Sequence, residues 1–315
     1  MIRKISLYLF AFLLTLSLIA LGLYLYTKAY LQTTISTPKV LFIPKGSTQS
    51  AIQLFKKEGI DLHWFDYYLI HMHGYPQAGW IHLGQKHLSR EEFFQKITHE
   101  KAALQNVTLI PGETNYIFLE NLAAKLALNV TKLRDYYDAF APYKDGVILP
   151  DTYRVPLGID EKELIDYLVT QSLKEHKRLS EKYLHSYHDK HWFKEVVTKA
   201  SIIQKEAANN NEMPIISAVI RNRLQKNMKL QMDGTLNYGK FSHVAVTAKK
   251  IREDSSKYNT YKHKGLPPHP IAAVSEAAIK AAIFPANVDF LYFVKGKNGK
   301  HIFTKSYKQH LKNMR

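Results

Sequence analysis

The chain of 315 residues contains no cysteine. Disulfides, thiolate nucleophiles and cysteine-held zinc or iron–sulfur centres are therefore excluded. Acidic residues are scarce, with 27 Asp+Glu against 44 Lys+Arg and a formal charge of +17. Such a balance favours acidic partners: nucleic acid, anionic lipid or an anionic polymer. Lysines scattered over solvated faces would give the same total. There is no Walker loop, no Rossmann glycine fingerprint and no Gly-x-Ser-x-Gly elbow, so nucleotide and serine-hydrolase chemistries have no local motif to rest on. Among the 15 histidines, His71 and His73 stand two apart and His82 and His87 five apart. Neither pair has a carboxylate nearby at a spacing typical of zinc enzymes. The expectation is no metal and no organic cofactor.

What is present begins at the N-terminus. From Ile5 to Tyr26 no side chain is ionisable except tyrosines, and Leu, Ile, Phe and Ala dominate. At about 1.5 Å per residue this run crosses a hydrocarbon core of about 30 Å. Arg3 and Lys4 precede it, which places the N-terminus in the cytoplasm. A cleaved signal peptide is the rival reading, but the run is long for a signal core and no clear small-x-small site follows. Either way the rest of the chain is exported, which argues against nucleic acid as its target. With a hydrophobic content of 46% a large core is within reach.

Residues 28–38 read as a tether after a membrane segment at 1–27. Val40-Leu41-Phe42-Ile43 reads as a strand, turned by Pro44-Lys45-Gly46, with Ser47 or Thr48 capping a helix. A second helix holds Trp64 to His71. Gly79 to Leu83 is a short strand, and Ser89-Arg90-Glu91-Glu92 opens a further helix with a capping box. Residues 39–105 thus form a small strand-plus-helix unit. Val107 to Thr114 echoes Val40 to Thr48, as an internal repeat or as convergent strand–turn–helix chemistry. Beyond it, helices are expected at 161–186, 191–208 and 214–226, and a hairpin joins Phe290-Leu291-Tyr292-Phe293-Val294 to His301-Ile302-Phe303-Thr304. The class is α+β, helix-rich in the middle.

Glu206 is the leading chemical candidate. Trp192, Val196, Ala200, Ile203 and Ala207 form one helical stripe, with Lys199 and Glu206 at its margin. Ile202 and Ile203 lie one turn earlier and can dry the carboxylate, which would raise its pKa and make it a usable acid. A solvated or Lys205- or Arg221-paired glutamate is the ordinary alternative. Gln231, Asp233, Thr235 and Tyr238, in the run from Leu230 to Gly239, offer hydrogen bonds for sugar hydroxyls and an acetamido group; the same run is also ordinary Asp-Gly turn chemistry. Tyr258, Asn259 and Thr260 add an aromatic platform with amide and hydroxyl groups, or a structural loop braced by Pro267 and Pro268.

Together these segments resemble the endolytic murein transglycosylases of the MltG/YceG-like family. The resemblance runs in order through the N-terminal apolar helix, Phe42-Ile43-Pro44-Lys45-Gly46-Ser47, Leu149-Pro150-Asp151-Thr152-Tyr153 and Ala200 to Glu206. It continues through Arg221-Asn222-Arg223-Leu224, Leu230-Gln231-Met232-Asp233, Tyr258 to Tyr261, Gly265-Leu266-Pro267-Pro268 and Leu291-Tyr292-Phe293-Val294. It implies a single-pass inner-membrane protein with a LysM-like unit at 39–105 and a periplasmic catalytic domain at 106–315. It implies that Glu206 is the catalytic acid/base, with Gln231, Asp233, Tyr258, Asn259 and Thr260 around the cleft. Three positions depart from the family's usual pattern. Gln204 stands where Glu is frequent, Gly234 where Pro is common, and His269 where Gly is usual.

The activity so implied is cleavage between N-acetylmuramic acid and N-acetylglucosamine within nascent peptidoglycan strands. It leaves 1,6-anhydro ends and needs no metal or cofactor. The expected partners are glycan strands, the inner membrane and, at family level, a peptidoglycan synthase; nucleic acid is not among them. Two other readings stay open. A hydrolytic muramidase would use Asp233 as a second carboxylate. A membrane-anchored peptidoglycan-binding scaffold would need no acid at all.

Overall fold

The computed structural model describes residues 2–314, with side chains of the first helix described from Tyr8 onward. The chain divides into two compact units. The first comprises residues 1–105 with 154–159, and the second 106–153 with 160–315.

The first unit opens with α1 (Ile2–Leu31), whose stretch Tyr8–Leu31 is long and apolar enough to cross a membrane. Then come β1 (Thr34–Ser36), β2 (Val40–Ile43), α2 (Thr48–Lys57), α3 (Asp66–His73), β3 (Gly79–His82), β4 (His87–Ser89), α4 (Arg90–His99) and β5 (Leu104–Thr108). β1 pairs antiparallel with β4, and β2 antiparallel with β3 in the register Val40 opposite His82. The helices start where side chains can satisfy free N–H groups. Ser47 caps α2, and Ser89 with Glu92 forms the expected capping box of α4. Apolar faces then close on Phe55, Ile70, Ile81, Leu83, Phe93 and Phe94, all fully buried.

Two expectations change here. Residues 28–38 are no free tether: α1 runs on to Leu31, and Ile35 in β1 is 3% exposed beside β4. A polar-looking stretch is ordered because strand pairing satisfies its backbone and the alternation buries one apolar side chain. The unit also recruits 154–159 from far along the chain. Trp80 Nε1 donates to the Arg154 carbonyl at 3.1 Å, and the Leu157 N–H donates to the Ala103 carbonyl at 3.0 Å. No local pattern announces such pairings.

The second unit continues through α5 (Asn115–Leu126), α6 (Val130–Phe140), β6 (Thr152–Pro156), α7 (Glu161–Leu184) and a short α8 (Asp189–His191). A π-helical turn, Trp192–Val197, leads straight into α9 (Thr198–Glu206). α10 (Met213–Gln225), α11 (Ala248–Glu253), α12 (Glu276–Ile283), the hairpin β7 (Tyr292–Lys295) with β8 (His301–Thr304), and α13 (Tyr307–Asn313) complete the chain. β5 pairs with β6, and the boundary between the units falls inside these two strands. The protein is thus a helix-rich α+β chain with small two-stranded sheets.

The π turn widens the helix by a residue. Along it Trp192, Phe193, Val196 and Val197 all turn inward. α9 packs on α10 and α12, and Ala200, Ile203, Ile216, Val219, Ala278 and Ile279 on these three helices are all fully buried. The alanines let these helices approach closely. His176 on α7 holds the neighbouring loop. Trp192 Nε1 donates to its Nδ1 at 3.0 Å, so Nε2–H is left to donate to the Gly146 and Val147 carbonyls, each at 3.1 Å. Burial lowers this imidazole's pKa to about 4, so it stays neutral. Asn222 and Arg223 on α10 fasten the C-terminal hairpin. Asn222 Nδ2 donates to the Val288 and Phe290 carbonyls and Arg223 Nε to that of Leu291 at 2.6 Å.

Candidate functional site

Glu206 is the last residue of α9, whose fully buried Ile202 and Ile203 fix the helix against its neighbours. The residue keeps some exposure, yet its carboxyl is crowded by protein atoms. Oε1 accepts the Gly234 N–H at 2.7 Å. That approach needs glycine for space rather than for φ. A Cβ at position 234 would lie 2.8 Å from Lys205 Cβ and 2.9 Å from Glu206 Oε1. Burial raises the Glu206 pKa to about 7, the Gly234 N–H opposes the rise, the Asp233 charge adds to it and Arg223 opposes it. The group is therefore populated in both protonation states near neutrality, which suits an acid that must later act as a base.

Asp233 opens the 3-10 turn Asp233–Leu236 and is exposed; Oδ1 accepts the Tyr261 hydroxyl at 2.5 Å. Burial and this carboxylate hold the Tyr261 phenol well above its usual range. Arg223, 7% exposed, supplies the nearby positive charge while its own fork is held by backbone carbonyls.

The expected binding residues separate into two groups. Gln231 and Asp233 are exposed, and Tyr238 and Tyr258 are partly exposed and stacked, with centroids 4.6 Å apart at 21°. Gln231 sits at φ 50°, a left-handed conformation uncommon for a residue with a Cβ. Its N–H donates to the Thr260 carbonyl at 3.2 Å. By contrast Thr235, Asn259 and Thr260 are buried. The Thr235 and Thr260 hydroxyls meet at 2.9 Å, Thr260 Oγ1 accepts the Met232 N–H, and Asn259 Nδ2 donates to the Ile251 and Asp254 carbonyls. Thr235 and Thr260 tie the loop of Gln231 and Asp233 to the loop of Tyr258, and Asn259 braces the latter against the end of α11.

A second cluster of charges was not expected. Glu113, 8% exposed, accepts the Thr114 N–H on Oε1 at 2.8 Å and meets His243 Nε2 at 2.8 Å through Oε2. Asp145, 7% exposed, accepts the Asn115 N–H at 2.5 Å. Burial raises the Asp145 pKa to about 8, against the Asn115 N–H and the charge of Lys205. Lys205 Nζ donates to Ser242 Oγ at 3.0 Å. The Pro111–Thr114 turn was visible as a helix start; its partners 130 residues away were not.

Residues 41–315 match the YceG-like family. The chain belongs to that family. An endolytic murein transglycosylase of Bacillus subtilis strain 168 is 30% identical over 326 residues, covering 92% of this chain and 89% of its own. An endolytic murein transglycosylase of Streptococcus pneumoniae strain D39 is 29% identical over 72% of this chain, which spans 39% of that longer protein. A crystal structure of a YceG-like protein from Listeria monocytogenes shares the fold, with a TM-score of 0.55 and 24% identity over 89% of this chain and 99% of that one.

Within this YceG-like chain the three unusual residues have distinct settings. Gln204 Oε1 accepts the Ser275 N–H and hydroxyl at 3.2 and 2.7 Å, an acceptor's role that a carboxylate also fills. Gly234 gives Glu206 an N–H that a proline lacks. His269 lies against the Tyr143 ring at 5.3 Å, and burial lowers its pKa.

Proposed function

We propose that this chain is a peptidoglycan lytic transglycosylase with Glu206 as its single acid/base. The observation that carries the reading is the Glu206 carboxyl itself, raised to about pKa 7 at the margin of a loop rich in hydrogen-bonding groups. Oε1 accepts the Gly234 N–H, so the proton sits on Oε2 and is delivered from there to the glycosidic oxygen. As the bond to N-acetylmuramic acid breaks, positive charge grows at C1, and the substrate's acetamido group stabilises it. The Glu206 carboxylate then takes the proton of the C6 hydroxyl as that oxygen attacks C1. The product is a 1,6-anhydro end, and no water enters.

The exposed Gln231 and Asp233 and the Tyr238–Tyr258 stack are the groups that meet the glycan. Thr235, Asn259 and Thr260 set the shape of the loops that carry them. The first unit has the order β2–α2–α3–β3 with its two strands paired, which suits a LysM-like reading. α1 is the anchor in the inner membrane, with Arg3 and Lys4 on the cytoplasmic side and the remainder in the periplasm. Asp233 is the observation behind a second reading. Its charge lies near enough to raise the Glu206 pKa, so a carboxylate is at hand to direct a water.

Mass spectrometry of purified glycan strands after incubation with the full-length chain, beside Glu206→Gln, tests the proposal. Anhydro-ended fragments from the native chain alone are expected. Reducing ends would mean hydrolysis and shift attention to Asp233. Cleavage by a folded Glu206→Gln protein would remove Glu206 from the reaction.

A further inference from the structure

The catalytic unit does not account for a surface on the first unit. Between α1 and β5, every exposed large apolar side chain among the described residues lies within 64–75. Trp64 is 77% exposed, Tyr68 58%, Met72 79% and Tyr75 71%. Trp64, Tyr68 and Met72 recur every four residues along one face of the turn into α3 and the helix itself. Soluble surfaces rarely gather such side chains in one place without a partner.

The patch is continuous with α1. Tyr26 stacks on Tyr30 at 6.5 Å, Tyr30 meets the edge of Phe65 at 5.9 Å, Phe65 meets Trp64 at 5.7 Å, and Trp64 meets Tyr68 at 6.1 Å. The joint is stiff. Tyr30 and Leu31 pack on the unit's core. Arg90, 4% exposed, lies over the Tyr30 ring at 4.6 Å, donates to Thr33 Oγ1 at 2.9 Å and pairs with buried Asp66 at 2.6 Å, in the first turn of α3. Four residues of helix from Tyr26 to Tyr30 rise about 6 Å, roughly the depth of one interfacial layer beside the hydrocarbon core. Tyr30 thus falls at headgroup level, and the Phe65 and Trp64 rings follow it at consecutive centroid distances of 5.9 and 5.7 Å; at that level Trp and Tyr place an apolar body in lipid and a polar tip in water.

We propose that Trp64, Tyr68 and Met72 dock into the headgroup region of the bilayer that α1 crosses, giving the first unit a second, interfacial hold on the membrane. This rests on α1 being a membrane anchor. The occupant is lipid because the patch starts where that helix leaves the membrane and shares its aromatic contacts.

The chain has three tryptophans, and Trp80 and Trp192 are 7% and 1% exposed, so quenching of an exposed indole reports Trp64. The full-length protein is reconstituted in vesicles, and its emission is compared with that of Trp64→Phe. The difference signal should lose most of its intensity with lipids brominated near the top of the acyl chain and resist iodide in the water. Protein that resists alkaline carbonate extraction but whose Trp64 is open to iodide would overturn the docking and leave the anchor standing. Trp64 shielded from iodide yet untouched by brominated lipid would replace the bilayer with a second copy of the chain. Release by carbonate would overturn anchor and docking together, without bearing on Glu206.

Discussion

Glu113 and Glu206 are two glutamates at helix ends in the second unit, one held ionised and the other drawn towards its neutral form. Burial pushes Glu113 up, but the Thr114 N–H, His243 and Ser242 outweigh it and leave its pKa below the usual value. It also stands immediately before the N-cap of α5, where the helix dipole favours an anion. Glu206 ends α9, where the dipole disfavours one. It receives a single backbone N–H, faces Asp233, and rises to about 7. Burial works in the same direction on both. The number of donors and the polarity of the helix end decide which carboxyl stays charged.

The largest break in this comparison is Glu206→Gln, expected to lower glycan cleavage by roughly 10²–10⁴-fold while thermal unfolding shows an intact fold. Glu113→Gln should leave cleavage within a few-fold. Next comes pH. If protonated Glu206 starts the reaction, kcat/KM should fall about tenfold per unit above about pH 7. Asp233→Asn removes a charge that raises the Glu206 pKa, so that limb should move to lower pH. A limb that stayed fixed would mean another group sets it.

Asp145→Asn comes third. The folded pKa of about 8 exceeds the ordinary 3.8, so the native chain loses stability as pH rises from about 4 to 8. The amide still accepts the Asn115 N–H and carries no charge to bury. Its unfolding free energy should exceed the native chain's by about 1–3 kcal/mol at pH 8.5 and match it near pH 4. Equal curves at both pH values would show that Asp145 is solvated. The smallest effect is that of Glu113→Gln on stability. A lowered folded pKa stabilises above about pH 4.5 and is lost as pH falls further. The cost at pH 7 should be about 0.5–1.5 kcal/mol, because His243 is largely exposed, and should shrink on acidification.

Much of the frame was legible because its causes are local. The apolar run of α1, the Ser89–Glu92 capping box, the Ser47 cap and the closing hairpin all depend on residues within one turn or one strand pair. Glu206 was legible as a candidate from its place beside Ile202 and Ile203. The candidate binding residues were legible only as a neighbourhood. Thr235, Asn259 and Thr260 are hydrogen-bonding residues as Gln231 and Asp233 are, but the first three are buried and the last two exposed. Nothing in their spacing distinguishes a side chain that faces outward from one that braces a loop. The ordering of 28–38 was hidden for a related reason: its strand partner, β4, lies some fifty residues on.

By itself the sequence determined the helix starts, the apolar N-terminal helix, the lack of thiol chemistry and the residue types available around Glu206. These follow from side-chain size, charge and hydrogen bonding over a few residues. Tertiary structure alone decided the state of each carboxyl. The Gly234 N–H reaches Glu206 across 28 residues, Tyr261 reaches Asp233 across 28, and His243 reaches Glu113 across 130. A pKa is set by the donors, charges and solvent within a few ångströms of the group, and only the folded chain brings those together.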